Sequence, residues 1–214
     1  QGILRRYGYD YLLTAHHAND LAEDSLMRLL RGAGWPGLAG MPAWDPNRRL
    51  IRPFLLTAKK RLRALVQTAG LSWEEDFSNA DTAYQRNRVR HQILPLVLQE
   101  NPQFLETVAQ TWRQAQADSI AFDAMLTAPR QAECVVGQGR LAPRQELQSL
   151  PAALRLRWYK DILDRMGPGQ ALSANLAALD ALYTEKKSGK KVQFPGDKQA
   201  RVTPEGIVFE WKGA

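Results

Sequence analysis

The stretch that most constrains this chain runs from Leu12 to Met41, LLTAHHANDLAEDSLMRLLRGAGWPGLAGM. The apolar run Tyr11-Leu12-Leu13 leads into it and reads as the end of a buried strand. Thr14 to His17 follows as a turn. Asn19 or Asp20 is placed to cap a helix, and acids in a first turn suit its positive end. The helix is expected to run to about Arg31. Gly32 then stops it and opens a glycine-rich loop that continues to Gly40.

At roughly 100° per residue the faces of this helix separate. Ala22, Leu26, Leu29, Leu30 and Ala33 make an apolar stripe suited to packing on a sheet. Asp20, Glu23, Met27 and Arg31 make the neighbouring stripe, and His16 joins it if the first turn reaches back far enough. A histidine, two carboxylates and an arginine therefore line the edge of a buried face. They follow the carboxyl end of a strand, where open α/β sheets place their ligands. The plainer alternative is that the carboxylates cap the helix and the histidines are turn residues.

Charge narrows the partners. Lys and Arg number 29 against 22 Asp and Glu, a net charge of +7. A balance this basic favours a polyanion, with nucleic acid first among candidates. Cys134 is the single cysteine, so one chain makes neither a disulfide framework nor a cysteine zinc site, and a reducing cytoplasm fits. No apolar run reaches membrane length.

Gln1 to Tyr7 reads as the tail of a helix already under way, and a single parallel strand is not a sheet. The chain is therefore expected to be part of a longer protein. Trp44 to Asn47 reads as a turn, and Leu50 to Leu55 as an extended segment that Pro53 keeps from being central. Thr57 is expected to cap a helix over 58–69. Leu71 to Asp76 reads as a short strand and Phe77 to Thr82 as a loop. In Tyr84 to Leu98, Arg86, Arg88, Arg90 and His91 crowd a helix start. Such crowding is tolerable on a solvated face and useful where phosphates neutralise it. A long helix over 103–128 suits a connector. Beyond it come a strand at 133–136, helices at 142–147, 151–166 and 173–183, and three short β segments near 192–194, 200–202 and 207–209.

The ordered set of motifs resembles the tRNA(Ile)-lysidine synthetases, a branch of the PP-loop ATP pyrophosphatases. The matching residues are Ala15-His16-His17-Ala18-Asn19-Asp20-Leu21-Ala22-Glu23, then Arg31-Gly32-Ala33-Gly34 with Gly37-Leu38. After them come Arg52-Pro53-Phe54-Leu55, Trp73-Glu74-Glu75-Asp76 with Ser78-Asn79, and Arg86-Asn87-Arg88-Val89-Arg90-His91 with Leu94-Pro95. Asn19 stands where the family commonly has Asp, Leu21 where it has Gln, and Asp24 where it has Thr.

The resemblance implies an α/β fold. Residues 1–101 would form the C-terminal part of a Rossmann-like PP-loop synthetase domain. Residues 102–214 would form a linker helix plus a mainly helical accessory domain with a few short β-strands, which meets the tRNA. It implies an enzyme that adenylates C2 of the wobble cytidine of tRNA(Ile) with ATP and lets lysine displace AMP. ATP, Mg²⁺, free lysine and tRNA(Ile) would be its substrates and partners, in the cytoplasm and away from membranes, with a homodimer left open. His16, Asp20 and Glu23 carry over as catalytic residues. Arg90 is placed to meet the charge that moves onto pyrophosphate. Asp20 and Glu23 are the expected Mg²⁺ ligands, and Arg31, Arg86 and Arg88 the expected contacts to tRNA or phosphate. Three alternatives stay open: a PP-loop tRNA cytidine thiolase, a non-catalytic RNA-binding module, and a metal-dependent hydrolase built on His16, His17, Asp20 and Glu23.

The family's ATP-cradling loop has the form SGGxDS, and no such string occurs before Leu12. Backbone N–H groups in that loop hold phosphate. The 214-residue chain by itself is therefore expected to form no lysidine. It should bind Mg-ATP in the millimolar range or worse, roughly −4 kcal/mol. Isothermal titration measures this directly. Micromolar binding would show that a phosphate cradle lies within these residues.

Overall fold

A computed structural model describes residues 2–46, 48–72 and 84–213. The chain forms two compact units, Gln1–Ala117 and Asp118–Ala214, and their boundary falls within one long helix.

The first unit opens on α1 (Gly2–Tyr7), β1 (Leu12–Leu13) and α2 (Ala18–Leu30). A short 3₁₀ turn at Gly37–Ala39 precedes β2 (Trp44–Asp45) and β3 (Leu50–Ile51). The three strands form one small sheet in the order β1-β3-β2. β1 runs parallel to β3, pairing Leu12 with Leu50 and Leu13 with Ile51, and β2 runs antiparallel to β3. Two expectations need correction here. Trp44-Asp45 is a strand rather than part of a turn, and β3 is central. Pro53 permits this because β3 ends at Ile51, before the missing N–H would be needed.

Helix α2 is held by burial at its start. Leu21 and Ala22 are fully buried and pack with Met41, Leu55, Leu94 and Val108. Leu29 and Leu30, read from the sequence as core, are exposed at 59% and 62%. The glycine-rich loop lies back along the helix: Ser25 Oγ donates to Ala39 O at 2.9 Å and Arg28 Nη1 to Gly37 O at 3.0 Å. Gly40 permits that approach. Its φ is +109°, and a Cβ there would stand 2.6 Å from the Leu21 side chain.

α3 (Lys59–Thr68) has no buried residue and no side-chain cap; Ala58, not Thr57, holds the capping position. The strand and loop expected over 71–82 lie almost wholly outside the described residues, as do Trp73 to Asp76 and Ser78-Asn79. The chain resumes with α4 (Gln85–Arg88), a π-helical turn at Val89–Ile93 and α5 (Leu94–Glu100). The wide turn meets Pro95, which has no N–H for the carbonyl four residues back and whose ring crowds it. The Leu94 N–H bonds Val89 O, five residues back.

α6 (Phe104–Met125) then spans the boundary between the units. The second unit continues with α7 (Thr127–Gln131), β4 (Cys134–Val136), β5 (Gly139–Pro143), α8 (Arg144–Ser149), α9 (Ala152–Met166) and α10 (Ser173–Thr184). β6 (Lys191–Phe194), β7 (Lys198–Thr203) and β8 (Gly206–Trp211) follow. The five strands make an antiparallel sheet in the order β4-β5-β8-β7-β6. Residues 142–143, expected to start a helix, instead complete β5, where Ala142 pairs with Ile207. Trp158, Tyr159, Ile162 and Leu163 of α9 and Leu179 of α10 are fully buried with Ala200, Val202, Ile207 and Phe209 of the sheet. Lys198 is buried among them. Its ammonium donates to Leu163 O and Gly167 O, at the end of α9, and to Gly169 O in the loop that follows.

Candidate functional site

The site is built where the carboxyl end of β1 turns into α2. His17, in extended conformation, is the N-cap of α2. Its backbone N–H donates to Asp20 Oδ2 at 2.9 Å, and its Nδ1 lies 3.0 Å from the same oxygen. The Asp20 N–H points at Nδ1 from 3.4 Å. One nitrogen does not serve both interactions, and a neutral ring carrying Nδ1–H satisfies the shorter one. The cap is therefore His17 rather than Asn19 or Asp20. Asp20, at N3, accepts the N-cap backbone N–H as the acid of a capping box does. Asn19 turns away to accept the Lys59 N–H at 3.0 Å.

Asp20 and Glu23 are both buried, at 8% and 1% exposure. Their charges are met from more than 60 residues away. Arg86 and Arg90 sit four apart, on one side of the α4–π turn, and both reach the acids. Arg86 donates from Nε to Glu23 Oε2 at 3.1 Å and from Nη2 to Asp20 Oδ1 at 3.4 Å. Arg90 donates from Nε to Glu23 Oε1 at 2.7 Å, and from Nη2 to Glu23 Oε2 at 3.0 Å and Asp20 Oδ1 at 3.1 Å. The bond to Glu23 is the main reason the Arg90 guanidinium is held above its ordinary pKa, against the opposing effect of burial.

Above this lattice lies an open cleft of about 400 Å³, lined by Thr14, Ala15, His16, Asp20, Arg86, Asn87 and Arg90. Thr14 Oγ1 lies 2.7 Å from His16 Nδ1 and fixes the ring. Burial lowers the His16 pKa; Asp20 opposes this, while Arg52 and Arg86 add to it. Burial likewise lowers His17 most, against Asp20. Both rings are neutral at pH 7. The two acids and two arginines of the lattice then cancel in formal charge.

The structure thus joins His16, Asp20, Glu23, Arg86 and Arg90 at one place. Glu23 lies beneath the arginines rather than on the cleft wall. Arg31 bonds Gln85 Oε1 at 3.1 Å on the outer side, and Arg88 is exposed; neither is among the residues lining the cleft. Thr14 and Asn87 also line the cleft, and nothing in their local sequence pattern marks them for it. The expected metal pair does not fit. All four oxygens of Asp20 and Glu23 already accept from arginine, from the His17 backbone or from its ring. Mg²⁺ takes oxygens in near-octahedral array, through one or two carboxylates plus waters, so bridging Asp20 and Glu23 it would compete with the guanidinium groups on Glu23 and Asp20 Oδ1.

The comparisons with known proteins bear on this geometry. Residues 1–97 match the family model described as a PP-loop domain. A tRNA(Ile)-lysidine synthase of Nitratidesulfovibrio vulgaris is 42% identical over 94% of this chain. The chain belongs to the tRNA(Ile)-lysidine synthase family. Lysidine synthases of Salinispora arenicola and of a Nostoc species are 36% and 31% identical over 89% and 97% of the chain. The chain spans 62%, 58% and 66% of the length of these three relatives. Among the described residues, no helix is long and apolar enough to cross a membrane.

In this synthase-family chain the two histidines set a pH dependence. Each has a folded pKa below the ordinary 6.5, so below that pH the unfolded chain binds the extra protons first. Their contribution to stability is complete above about pH 6.5 and is lost as pH falls through the folded values. Imidazole NMR titration should give both rings pKa values under 6.5. Urea unfolding should show lower stability at about pH 5 than at about pH 7.5. A folded value above 6.5 for either ring would contradict the burial described.

Proposed function

We propose that this chain serves the ATP-dependent attachment of lysine to the wobble cytidine of tRNA(Ile). The observation that carries the reading is the pair of guanidinium groups held at the cleft by Asp20 and Glu23 beside a neutral His16, in a chain of this family. In the first step C2–O of the cytidine attacks the α-phosphorus of ATP and the bond to pyrophosphate breaks. In the second the lysine amine forms a bond to C2 and AMP leaves with the oxygen.

Negative charge gathers on phosphate in the first step. A pre-organised cation placed there lowers the barrier without reorganising. Arg90, locked by three bonds to carboxylates, is suited to that task. Arg86 is more exposed, 41% against 28%, and is suited to an RNA or nucleotide phosphate at the mouth. Asp20 and Glu23 act on this reading by aiming the arginines. In the second step the amine must lose a proton. With Nδ1–H given to the Thr14 hydroxyl, the His16 ring keeps a basic lone pair at Nε2. Glu23 is not placed to take that proton, since both its oxygens already accept from the arginines beneath the cleft wall. Free lysine and a cytoplasmic setting belong to the same reading. No step is assigned to Mg²⁺ on these carboxylates. Cys134, the lone cysteine and exposed in the second unit, gives a thiolase reading no sulfur at the cleft.

The test is lysidine formation from ATP, lysine and tRNA(Ile) transcript in the full-length protein. Arg90→Ala should lower turnover roughly 100-fold or more, the scale of losing one pre-organised electrostatic group. Arg86→Ala should instead weaken substrate affinity, with a smaller effect on turnover. Asp20→Asn should lower turnover without shifting the Mg²⁺ concentration at half-maximal rate. Near-normal turnover by Arg90→Ala would remove the assignment, and a large Mg²⁺ shift in Asp20→Asn would restore the metal-ligand reading.

A further inference from the structure

Helix α3 is charged against its own dipole. Its first five residues are Lys59-Lys60-Arg61-Leu62-Arg63, with no acid in the first turn. The N-terminal end of a helix is its positive end, so each of these cations is repelled by the backbone they stand on. Burial does little to offset that, because no residue of α3 is buried and Leu62 and Val66 are only half covered. A ten-residue helix is marginal in water without such support. Lys59, Lys60 and Arg61 are exposed and have no ion-pair partner among the described residues.

The location of the cations is as telling as their number. Thr57 O accepts the Ala18 N–H at 2.9 Å, and Asn19 Oδ1 accepts the Lys59 N–H at 3.0 Å. These two bonds tie the start of α3 to the first turn of α2, beside the cleft residues His16 and Asp20. The Lys59 ammonium is close enough to act on the His17 ring. At the cleft the arginines are neutralised by carboxylates; Lys59, Lys60 and Arg61 have no such partner among the described residues.

We propose that Lys59, Lys60 and Arg61 form a seat for RNA backbone phosphates beside the cleft. The proposal rests on the reading that the cleft takes a tRNA nucleotide, and it adds where the flanking backbone runs. Phosphates supply the negative charge this end of the helix lacks. A polyanion seated here would stabilise α3 while it holds the substrate in register. Charge recognition of this kind reads backbone rather than base sequence.

The experiment is binding of the protein to labelled tRNA(Ile) transcript by fluorescence anisotropy, between about 50 and 200 mM salt. Melting temperature and circular dichroism are followed in parallel. The Lys60→Gln/Arg61→Gln variant should lower the slope of log affinity against log salt by about two units, since each phosphate left unneutralised removes nearly one. Its melting temperature should not fall. Lys60→Glu/Arg61→Glu should weaken binding further while its melting temperature holds or rises, since acids suit that end of the helix. Weaker binding together with greater stability is a combination that a merely structural role would not give. An unchanged slope in both variants, with salt-dependent binding by the unmodified protein, would overturn the seat and leave the RNA reading standing. Salt-independent or absent tRNA binding by the unmodified protein would overturn both. A reduced slope with a lower melting temperature and diminished helicity would overturn the seat in favour of a structural role. Binding to phosphatidylserine vesicles that the variants lose, with the tRNA slope unchanged, would overturn it in favour of a membrane surface.

Discussion

Two buried carboxylates held by two arginines are the constraint on which the first unit depends. Asp20 and Glu23 lie on the side of α2 next to its packed face, where an unpaired charge would cost several kcal/mol. Arg86 and Arg90 remove that cost and in doing so clamp the α4–π turn against α2. The clamp settles the position of two segments separated by more than 60 residues. It also leaves the arginines where the cleft needs them. Stability and placement of charge are here one arrangement: the acids that make the arginines tolerable also aim them.

The same arrangement distributes charge unevenly over the unit. Across the lattice of two acids and two arginines the formal charges cancel, so on the proposed function a substrate phosphate would meet directed N–H donors there rather than a general positive field. Outside it, the start of α3 carries cations with no acid in the helix turn that bears them. Long-range attraction and close-range recognition would then fall to different places. On the proposed reading the first would bring a polyanion in and weaken with salt; the second would depend on geometry and be screened less. The net charge of +7 is thus a sum over residues with quite different work.

Much of this is legible in the residues. The strand-turn-helix order, the stripe of His16, Asp20 and Glu23, and the crowding of Arg86 to His91 all follow from spacing. Helical periodicity is local, and those features are local. What spacing does not carry is pairing across the chain. Arg86 and Arg90 belong to the acids and Arg88 does not, because only the first two share a side of the helix that faces α2. The metal expectation is built on the same local view: two carboxylates one helical turn apart look available until the arginines on them are seen. The two-residue strands β2 and β3 are made by pairing rather than propensity, so Trp44-Asp45 reads as a turn. The end of β5 escapes the sequence because its register with β8, not its residues, makes it a strand. His17 replaces Asn19 at the N-cap position, tied to Asp20 through its backbone N–H, a bond that cap propensity does not count. Leu29 and Leu30 fall in the core by period alone, and the packing of α2 ends before them.

The central claim is that Glu23 acts through Arg90. A double-mutant cycle measures it: unfolding free energies of the unmodified protein, Glu23→Gln, Arg90→Ala and the pair. The partial exposure of Arg90 places the coupling below that of a fully buried pair, at about 1–2 kcal/mol. A coupling in that range, with the double variant little worse than either single one, is the predicted result. Additive losses, with a coupling within about 0.3 kcal/mol of zero, would show that the two side chains stabilise the protein independently and would contradict the lattice.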